Sequence, residues 1–512
     1  MNRAFEPFDE TQDPRYLEWK NEDPTDISIP DIKGFVTDYV YATRGREIAS
    51  LYGVWSALFL ISSVIQRDAW FTPPHGDKWL DREYLNMYVL FVGPAGCGKS
   101  SAISYLSKVY SVVNMQLAQD EEPIMQRKLP ATVSNMATPE AFLSSMFAHI
   151  MIKDDADNTK HTRKSFLGKN DDGSIKVVKA IANGIGLISE FGSLLSKNSY
   201  QAQMSTILLD LYDSPAKYEW NTIKRGKLFL PEVFFNFVGA TTVDGLSSNV
   251  NPSVMKDGFM SRTIVATIKG FTRKRHFRFS TACNVDILSK RLLWIAKSSF
   301  GAYTFDNASA NLYKEWYEKF MHDMNKHPDK AGYMIRNRTL VIKLSILLKI
   351  SEYTPGNIIE ERHLKAAMSL VDYTYKNMSW LVNTFGNALT AQARESVTRL
   401  LLTESNGATR RKIAKTLANY STEIINTVLN DLWIEGSVFL ITSGGKLSYE
   451  KRPEFTPNER YTLSITARKE IKRELQTSSE GHVSKRKVSN TNSKSDAEKQ
   501  VGDILSVEKV WG

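Results

Sequence analysis

The chain has 512 residues, more than one compact core normally holds, and this length predicts about three domains. Its composition, 42% hydrophobic and 24% charged, is ordinary for a globular protein and excludes a largely disordered or fibrous chain. The net charge of +10 favours nucleic acid or an anionic surface as a partner, although many basic proteins bind neither. The two cysteines, Cys97 and Cys283, are too few for a disulfide framework and indicate a reducing compartment.

Residues 1–80 are predicted to form an N-terminal region. Residues 1–35 are rich in Asp, Glu and Pro and predict an extended arm, whose polar, acidic beginning is unlike a signal peptide. A helical pattern follows over residues 36–80. Its most apolar run, residues 54–65, is well short of the ~20 residues that span a bilayer. The run therefore predicts a buried helix, and the protein is expected in the cytoplasm without a membrane partner.

Residues 81–270 are predicted to form an α/β core. Five apolar runs predict its buried strands, at residues 84–92, 129–135, 184–190, 233–242 and 262–268. Helical patterns separate these runs, and one of them has Thr138 as its N-cap and Pro139 at its first position. Strands that alternate with helices predict a parallel sheet. The polar segment 152–178 is predicted to be an insertion with a hairpin turn at residues 171–174.

The rest of the chain predicts three further regions. Residues 271–385 carry helical patterns throughout and predict a helical lid. In residues 386–455, three helical patterns precede a hairpin with Gly444 and Gly445 at its turn, which is the signature of a winged helix. Residues 456–512 are low in hydrophobic residues and rich in Ser, Lys and Glu, so they predict a disordered basic tail.

A glycine-rich loop follows the first predicted strand of the core. Residues 93–100, GPAGCGKS, match G-x-x-x-x-G-K-[ST] in full, between a strand and a helix as that motif requires. The glycines let backbone N–H groups surround phosphates, Lys99 would reach the β- and γ-phosphates, and the Ser100 hydroxyl would bind Mg²⁺. The sequence therefore predicts a site for ATP and Mg²⁺ formed by Gly93, Pro94, Ala95, Gly96, Cys97, Gly98, Lys99, Ser100 and Ser101.

The acidic partner of this loop is incomplete. The strand that supplies carboxylates to such a site usually ends in Asp-Glu, whereas the third predicted strand ends in Ser189 and Glu190. Glu190 is the candidate catalytic base and metal-side carboxylate, and the missing second carboxylate predicts slow turnover or a metal held mainly through water and Ser100. Asp210 is the competing candidate, but its segment predicts an amphipathic helix and a structural role.

Two threonines follow the fourth predicted strand. That strand lies beside the strand of the loop in this class of sheet, so Thr241 or Thr242 could contact the γ-phosphate or the attacking water. Thr242 is the candidate catalytic residue of the pair. The alternative is a threonine that only caps the end of the strand.

The order of these motifs resembles known protein families. The phosphate loop, the GATT strand end and the helical lid are similar to AAA+ ATPases. Residues 258–262, GFMSR, followed by TIVATI, resemble the segment that carries the arginine finger in minichromosome-maintenance helicases. Residues 50–380 resemble more closely the phage and plasmid primase–helicase family of DUF-type helicases. The shared segments are LNMYVLFVGPAGCGKS, ATPEAFL, LISEFGSLLS, ILLDLYDS, KRGKLFLPEVFFNFVGATT, DGFMSR and YKEWYEKF.

The resemblance implies an AAA+ fold and ATP hydrolysis at the subunit interfaces of a homo-oligomeric, hexameric ring. It implies that Arg262 acts as an arginine finger on the neighbouring subunit. Arg338, in the predicted lid, is a further candidate nucleotide-binding residue. Members of the family often have Asp before the acidic Glu, and Ser189 departs from this pattern. No primase domain is predicted upstream of the loop, so priming is not carried over and a separate primase is an expected partner.

Three segments are candidate nucleic-acid contacts. Residues 217–232 predict a β-hairpin with Lys224, Arg225 and Lys227 near its tip, where the helicases that the chain resembles place a basic pore hairpin; a solvated basic turn is the alternative. Residues 272–279, TRKRHFRF, suit base stacking and phosphate contacts, or equally a linker over the lid. The predicted winged helix carries nine Lys and Arg against seven Asp and Glu, so both DNA and protein are candidate ligands.

Together these features predict an ATP-dependent DNA motor, a replicative helicase of a phage or mobile element that acts on single-stranded or forked DNA. Two alternatives stay open. One is an ATP-switched replication initiator or loader that binds DNA through the winged helix without unwinding it. The other is a scaffold ATPase whose winged helix binds a protein. Stimulation of ATPase activity by single-stranded DNA favours the motor, whereas ATP-dependent binding of duplex DNA without unwinding favours the initiator.

Overall fold

The chain forms two compact units, Met1–Thr384 and Phe385–Gly512. The computed structural model describes residues 3–15, 33–73, 82–118, 131–133, 138–151, 167–169, 175–194, 203–222, 226–249, 258–268, 270, 277–326, 335–404, 406–441, 446–448, 452–469 and 471. The α-helices are α1 Phe35–Thr43, α2 Ser50–Ile65, α3 Lys99–Ala118, α4 Pro139–Ser145, α5 Phe191–Leu194, α6 Met204–Tyr212, α7 Val243–Asn249, α8 Val285–Ser298, α9 Asn307–Lys326, α10 Asn337–Ser351, α11 Glu361–Thr403, α12 Arg410–Thr416 and α13 Thr422–Ile434. The strands are β1 Ala69–Phe71, β2 Glu83–Tyr84, β3 Tyr88–Val92, β4 Ala131–Val133, β5 Phe147–Met151, β6 Leu167–Lys169, β7 Ile175–Ile188, β8 Lys217–Thr222, β9 Gly226–Pro231, β10 Phe234–Thr241, β11 Thr263–Thr267, β12 Gly301–Phe305, β13 Ile358–Ile359, β14 Ala408–Thr409, β15 Val438–Ile441, β16 Leu447–Ser448 and β17 Arg460–Leu463.

A parallel sheet lies at the centre of the first unit. Its strand order is β11-β3-β10-β7-β4, and every neighbouring pair in this order is parallel. All residues of β3, β10 and β11 are buried, as expected for parallel strands covered on both faces. The predicted parallel α/β sheet is confirmed, with a strand at each of the five predicted places. β5 and β6 pair antiparallel with β7, and the hairpin turn predicted at residues 171–174 lies outside the described residues.

Two predictions of secondary structure were wrong, one for residues 84–92 and one for residues 271–385. The run 84–92 is not one strand, because β2 belongs to a separate four-stranded sheet with β1, β12 and β13 while β3 begins at Tyr88. Between them, Asn86 is buried and donates to the carbonyl oxygen of Tyr212 at 2.6 Å. The segment 271–385 is not helical throughout, because it contains β12 and β13. The pairing of β1 with β12 joins segments far apart in the chain, and no local periodicity encodes such a pairing.

The apolar run before the glycine-rich loop is a central helix. α2 has 16 residues, and all of them are buried. It contacts four helices, α1, α3, α8 and α10, as well as β3, β10 and β11. A helix covered on every side needs no polar face, which explains why residues 54–65 form an apolar run. The predicted buried helix is confirmed, and in the described part of the chain no helix is both long and apolar enough to cross a membrane.

The described part of the predicted N-terminal arm packs against this helical layer. Asp38 on α1 is fully buried and forms an ion pair with Arg291 on α8. Two more donors reach Asp38, the Tyr353 hydroxyl at 2.6 Å and the backbone N–H of Phe8 at 2.8 Å. The backbone N–H of Ala4 donates to the carbonyl oxygen of Tyr353 at 2.9 Å. Residues 3–15 are therefore attached to the helices of the first unit through a buried charge.

The second unit combines helices with a small sheet. It holds the end of α11, then α12, α13 and a sheet of order β14-β17-β15-β16. The predicted order of three helices and an antiparallel strand pair is present, and the turn at residues 444 and 445 lies outside the described residues. β17 falls within the segment 456–512 that was predicted to be a disordered tail. Tyr461 and Leu463 on this strand are buried in the core of the unit, and residues 472–512 lie outside the description.

Candidate nucleotide-binding site

The glycine-rich loop lies at the carboxyl edge of the parallel sheet, between β3 and α3. Gly96 and Gly98 have φ angles of +80° and +83°, in the left-handed region that favours glycine. A Cβ atom on Gly98 would lie 2.0 Å from the carbonyl oxygen of Glu47, in the turn before α2. Ala95 and Gly96 are exposed at the tip of the loop. Left-handed residues that alternate with ordinary ones produce a concave backbone of the kind that binds anions.

Lys99 points into the carbonyl groups of its own loop. Its ammonium donates to the carbonyl oxygens of Gly93 at 2.8 Å and Pro94 at 2.6 Å. The residue is only 8% exposed. Ser100 is exposed and Ser101 is half-buried, both in the first turn of α3, where the helix N-terminus favours negative charge. The Lys99 charge is therefore held inside its own loop, next to the N-terminus of α3.

Tyr52 on α2 packs against the buried side of the glycine-rich loop. Cys97 is buried, and its sulfur lies 3.6 Å from both the Tyr52 hydroxyl and the Lys99 ammonium. The Tyr52 hydroxyl donates to the carbonyl oxygen of Val92 at 2.9 Å, and its ring packs on Phe91 with centroids 4.5 Å apart. Tyr52 was not identified from the sequence, because nothing near it in the chain marks it as a neighbour of the loop.

The end of β10 lies directly beside the loop. Thr241 is opposite Val92, and its carbonyl oxygen accepts from the backbone N–H of Gly93 at 3.3 Å. The Thr242 hydroxyl accepts from the backbone N–H of Gly245 at 2.9 Å, at the start of α7. The structure therefore brings Thr242 to the predicted edge of the sheet. It also shows the capping contact that was the alternative to a phosphate contact.

Glu190 lies at the same edge, two strands away from the loop. β7 pairs with β10 so that Ile188 is opposite Gly239, which puts Glu190 at the level of Thr241. Neighbouring strands are about 4.8 Å apart, so the ends of β7 and β3 are separated by about 10 Å. Glu190 is exposed. The backbone of Glu190 is therefore at the same edge of the sheet as the loop, about 10 Å across the strands from it.

Asp210, the competing carboxylate, lies elsewhere. It is on α6, hydrogen-bonded to the Tyr218 side chain and close enough to Arg262 for their charges to interact. Burial raises the pKa of Asp210, and the nearby charge of Asp213 raises it further. The geometry therefore brings Glu190, and not Asp210, to the edge that carries the loop.

Arg262 lies at the opposite, amino edge of the sheet. It ends the 3-10 helix Met260–Arg262, and Thr263 after it pairs with Tyr88 at the start of β3, whereas the loop follows Val92 at the end of β3. Four strand residues separate these two levels, a distance of about 13 Å. Arg262 is therefore remote from the loop of its own chain.

The contacts of Arg262 form a second polar cluster. Its guanidinium donates to the carbonyl oxygen of Gly258 at 3.2 Å and lies 3.6 Å from the carboxylate of Asp213. Arg336 lies 3.4 Å from the other oxygen of Asp213. Arg338, two residues further, is exposed in the first turn of α10. Arg338 is therefore on the same helix start as Arg336. Asp213 and Arg336 were not identified from the sequence, since no motif includes them.

The candidate nucleic-acid segments are described only in part. β8 and β9 form the predicted antiparallel hairpin, with Lys217 opposite Pro231. The tip, with Lys224 and Arg225, lies outside the described residues, as does the Lys227 side chain. Residues 272–276 of the second basic segment also lie outside the description, and Phe277 after them is 86% exposed.

The basic helix of the second unit is partly neutralised. Lys412 on α12 pairs with Glu404 at 2.6 Å, and Arg410 donates to Asn426 at 3.0 Å. Arg410 and Lys412 are therefore both engaged within the unit. The surface around α12 is mixed in charge.

Comparison with known proteins finds a distant likeness among solved structures. No protein-family model matches the chain, and no curated protein matches its sequence. Among solved structures, the chain is similar to a full-length MCM homolog from Methanopyrus kandleri, with 11% sequence identity and a TM-score of 0.36. The likeness covers 67% of this chain and 59% of that protein, so the chain matches less than two thirds of the neighbour's length. The function proposed below therefore depends on the geometry of the site and not on this likeness.

Proposed function

We propose that the protein is an ATPase that binds ATP and Mg²⁺ at the carboxyl edge of the sheet. The observation that carries the proposal is Lys99, which is buried directly after the left-handed glycines Gly96 and Gly98 and has its ammonium on two loop carbonyls. Phosphate oxygens would take over these hydrogen bonds. Within the described residues no group of three or more His, Cys, Asp and Glu could hold a metal ion. Ser100 and Glu190 would therefore hold Mg²⁺ together with phosphate and water oxygens, and Mg²⁺ would neutralise phosphate charge.

We place ATP hydrolysis at the interfaces of a homo-oligomeric ring. Glu190 would orient and deprotonate the attacking water, and Thr242 would contact the γ-phosphate or that water. Arg262 is too far from its own loop to reach a nucleotide there. Its planar guanidinium suits phosphate oxygens, so it would act on the nucleotide of a neighbouring subunit. A hexamer is the ring size of the families that the sequence resembles.

DNA is the polymer on which this ATPase would move. The net charge of +10 and the β8–β9 hairpin, which leads to Lys224, Arg225 and Lys227, support a phosphate backbone as the track. We propose a replicative helicase of a phage or mobile element, acting on single-stranded or forked DNA and working with a separate primase.

The nucleotide site is tested by Lys99→Ala. We expect ATPase activity to be lost while the circular dichroism spectrum still shows a folded protein, because the lysine contacts the ligand. Lys108→Ala is the control, since Lys108 is exposed on the same helix. Wild-type turnover in Lys99→Ala would overturn the assignment.

The ring is tested by mixing two inactive variants. Arg262→Ala keeps its loop and Lys99→Ala keeps its arginine, so mixed assemblies contain interfaces with both parts intact. We expect ATPase activity to return on mixing. A mixture that forms mixed oligomers and stays inactive would show that Arg262 acts within its own subunit or structurally.

The motor is tested by replacing Lys224, Arg225 and Lys227 with Ala. We expect weaker binding of single-stranded DNA and a smaller salt dependence of that binding, because each phosphate contact releases counterions. Wild-type affinity with an unchanged salt dependence would favour the initiator or loader.

One observation favours a protein as the ligand of the second unit. Ile434, Leu447 and Ile465 are exposed by 66%, 44% and 76%, on a unit whose basic helix is partly neutralised. The double variant Arg411→Ala, Lys415→Ala in the full chain distinguishes the two ligands. Unchanged affinity for duplex DNA would support protein binding, and a clear loss would support DNA binding.

A further inference from the structure

The glycine-rich loop packs against the turn of residues 44–49, which joins α1 to α2. The approach is close, because a Cβ atom on Gly98 would lie 2.0 Å from the carbonyl oxygen of Glu47. The same turn contacts the helix that follows the loop, since the Arg46 guanidinium lies 4.5 Å from the centroid of the Tyr105 ring on α3. The position of the turn therefore limits where the loop and the first turns of α3 can lie.

Arg44 fixes this turn at its first residue. Its guanidinium donates to both carboxylate oxygens of Glu10 in the N-terminal arm, at 2.8 Å and 3.0 Å. The same guanidinium also donates to the hydroxyl of Ser50, the first residue of α2, at 3.1 Å. Arg44 is only 5% exposed, and a bidentate pair of this kind fixes the orientation of both side chains. The guanidinium therefore connects the arm to both ends of the turn.

The arm holds Glu10 in place through contacts on either side of it. Before Glu10, the backbone N–H of Phe8 donates to the buried carboxylate of Asp38 at 2.8 Å. After Glu10, the Asp13 carboxylate accepts from the hydroxyl of Tyr41 at 3.0 Å. Both partners are on α1, the helix that leads into the turn. The arm therefore presents Glu10 to Arg44 from a fixed position.

We propose that Arg44 is a positioning residue for the glycine-rich loop, and that the N-terminal arm, through Glu10, holds the loop in the shape that binds nucleotide. The inference rests on the proposed function, because it needs a nucleotide on the loop. With the Glu10–Arg44 pair formed, the turn keeps the loop concave before the phosphates arrive. Coupling between two sites is reciprocal, so bound nucleotide strengthens the attachment of the arm by the same factor.

Binding of a fluorescent ATP analogue tests the positioning role. We expect Glu10→Gln to raise its dissociation constant about fivefold, the lower end of the usual coupling between two sites. In the ATPase assay KM should rise while kcat stays near the wild-type value, because neither side chain touches the reacting atoms. Arg44→Met should act in the same direction. The double variant should be no weaker than Arg44→Met alone, since both changes break one pair.

Glu232→Gln is the matched control. Glu232, between β9 and β10, pairs with Arg67 at 3.0 Å. The two ion pairs are buried to a similar extent, with carboxylate side chains 26% and 31% exposed and arginine side chains 7% and 10% exposed. We expect the dissociation constant and KM of Glu232→Gln to stay at wild-type values. An equal rise in Glu10→Gln and Glu232→Gln would reflect general loosening of the first unit and overturn the positioning role.

Alkylation of Cys97 without nucleotide tests the loop itself. Cys283→Ser leaves Cys97 as the single thiol, and its sulfur is buried beneath the loop. In this background Glu10→Gln should raise the labelling rate about fivefold, because the loop opens more often, and Glu232→Gln should not. An unchanged rate in Glu10→Gln overturns this inference and leaves the proposed function standing. A wild-type chain that binds no ATP analogue overturns both, whatever the labelling rate.

Hydrogen exchange of the arm tests the reciprocal effect. The backbone N–H groups of Ala4 and Phe8 donate to Tyr353 and Asp38, so their exchange reports release of the arm. We expect a saturating ATP analogue to slow their exchange about fivefold in the wild type and in Glu232→Gln, but not in Glu10→Gln. Exchange in the wild-type arm that is unaffected by bound nucleotide would overturn the coupling.

Discussion

The carboxyl edge of the parallel sheet carries a candidate site made mostly from one short stretch of chain, residues 93–101, whereas the amino edge carries a cluster assembled from three distant segments. At the first edge, Lys99 is buried and hydrogen-bonded within its own loop. At the second, Asp213 contacts Arg262 and Arg336 at 3.6 Å and 3.4 Å, and the buried Nε of Arg262 has no hydrogen-bond partner among the described residues. The contacts of the first edge therefore lie within one short segment, whereas those of the second depend on packing between distant segments.

This difference suggests a division of labour between the edges. A site that binds nucleotide must hold its shape in a single subunit, and the glycines and Tyr52 provide that shape. Under the proposed function, Arg262 at the amino edge acts instead on the nucleotide of a neighbouring subunit. The variants below test whether the two edges act independently, and the variant with the largest expected effect comes first.

The largest effect is expected for Arg262→Ala. A trans-acting arginine contributes about 10³–10⁵ to the rate of phosphoryl transfer, so ATPase activity should fall by that order. Binding of a fluorescent ATP analogue to the separate subunit should stay at the wild-type level. Arg262→Lys should also be damaging, because lysine lacks the planar fork of donors. If the separate Arg262→Ala subunit no longer binds the analogue, the two edges are not independent.

Glu190→Gln should have the next largest effect. Loss of a general base typically costs about 10²–10⁴ in rate, and the variant should still bind ATP. Single-turnover hydrolysis and analogue binding measure the two properties. Asp210→Asn is the matched variant at the other edge and should hydrolyse ATP at the wild-type rate. The opposite outcome, with Asp210→Asn slow and Glu190→Gln normal, would show that the catalytic carboxylate is Asp210 and not Glu190.

Lys343 tests the electrostatics beneath the amino edge. Burial lowers the pKa of Lys343 from its ordinary value of 10.5 to about 8. At a pH below the pKa of Lys343 in the folded protein, the lysine is protonated in both the folded and the unfolded protein. The free-energy cost of burying its charge is then independent of pH. At a pH between the folded and the ordinary pKa, Lys343 is protonated in the unfolded chain and largely neutral in the folded protein. The free energy of unfolding therefore rises with pH, by about 2 kcal/mol between about pH 7.5 and about pH 10.

Lys343→Met should remove this rise. Urea denaturation of the variant and the wild type at the two pH values measures the difference. Lys365→Met is the control, since the Lys365 side chain is 61% exposed and should not alter the wild-type rise. An equal rise in Lys343→Met would mean that another group causes the pH dependence.

The smallest effect is expected at Cys97. Its sulfur is buried beneath the loop, so alkylation requires the loop to open. Bound nucleotide stabilises the closed loop, and ATP at about ten times its dissociation constant should slow labelling about tenfold. The measurement uses Cys283→Ser, which leaves Cys97 as the single thiol. Labelling at the same rate with and without ATP would separate the loop from nucleotide binding.

Local sequence patterns were sufficient for the parts of the molecule that are local in space. Residues 93–101 combine turn-forming glycines, a lysine and a helix start in one stretch, so their joint placement follows from covalent connection. The buried strands were recognisable because strands covered on both faces must be apolar throughout. The same reasoning identified α2 as a buried helix.

Only the tertiary structure decided the contacts that cross the chain. The β1–β12 pairing, the support of the loop by Tyr52 and the cluster of Asp213, Arg262 and Arg336 join segments with no shared periodicity or motif. β17 was not predicted for a related reason. A short strand is stabilised mainly by its packing partners, and here these partners bury Tyr461 and Leu463. The sequence by itself therefore determined a glycine-rich loop on a parallel α/β sheet, and it predicted that this loop binds phosphate. Packing between distant segments decided which side chains surround that loop. It also decided that Arg262 lies at the opposite edge, beside Asp213 and Arg336. These groups are far apart in the chain, so only packing brings them together.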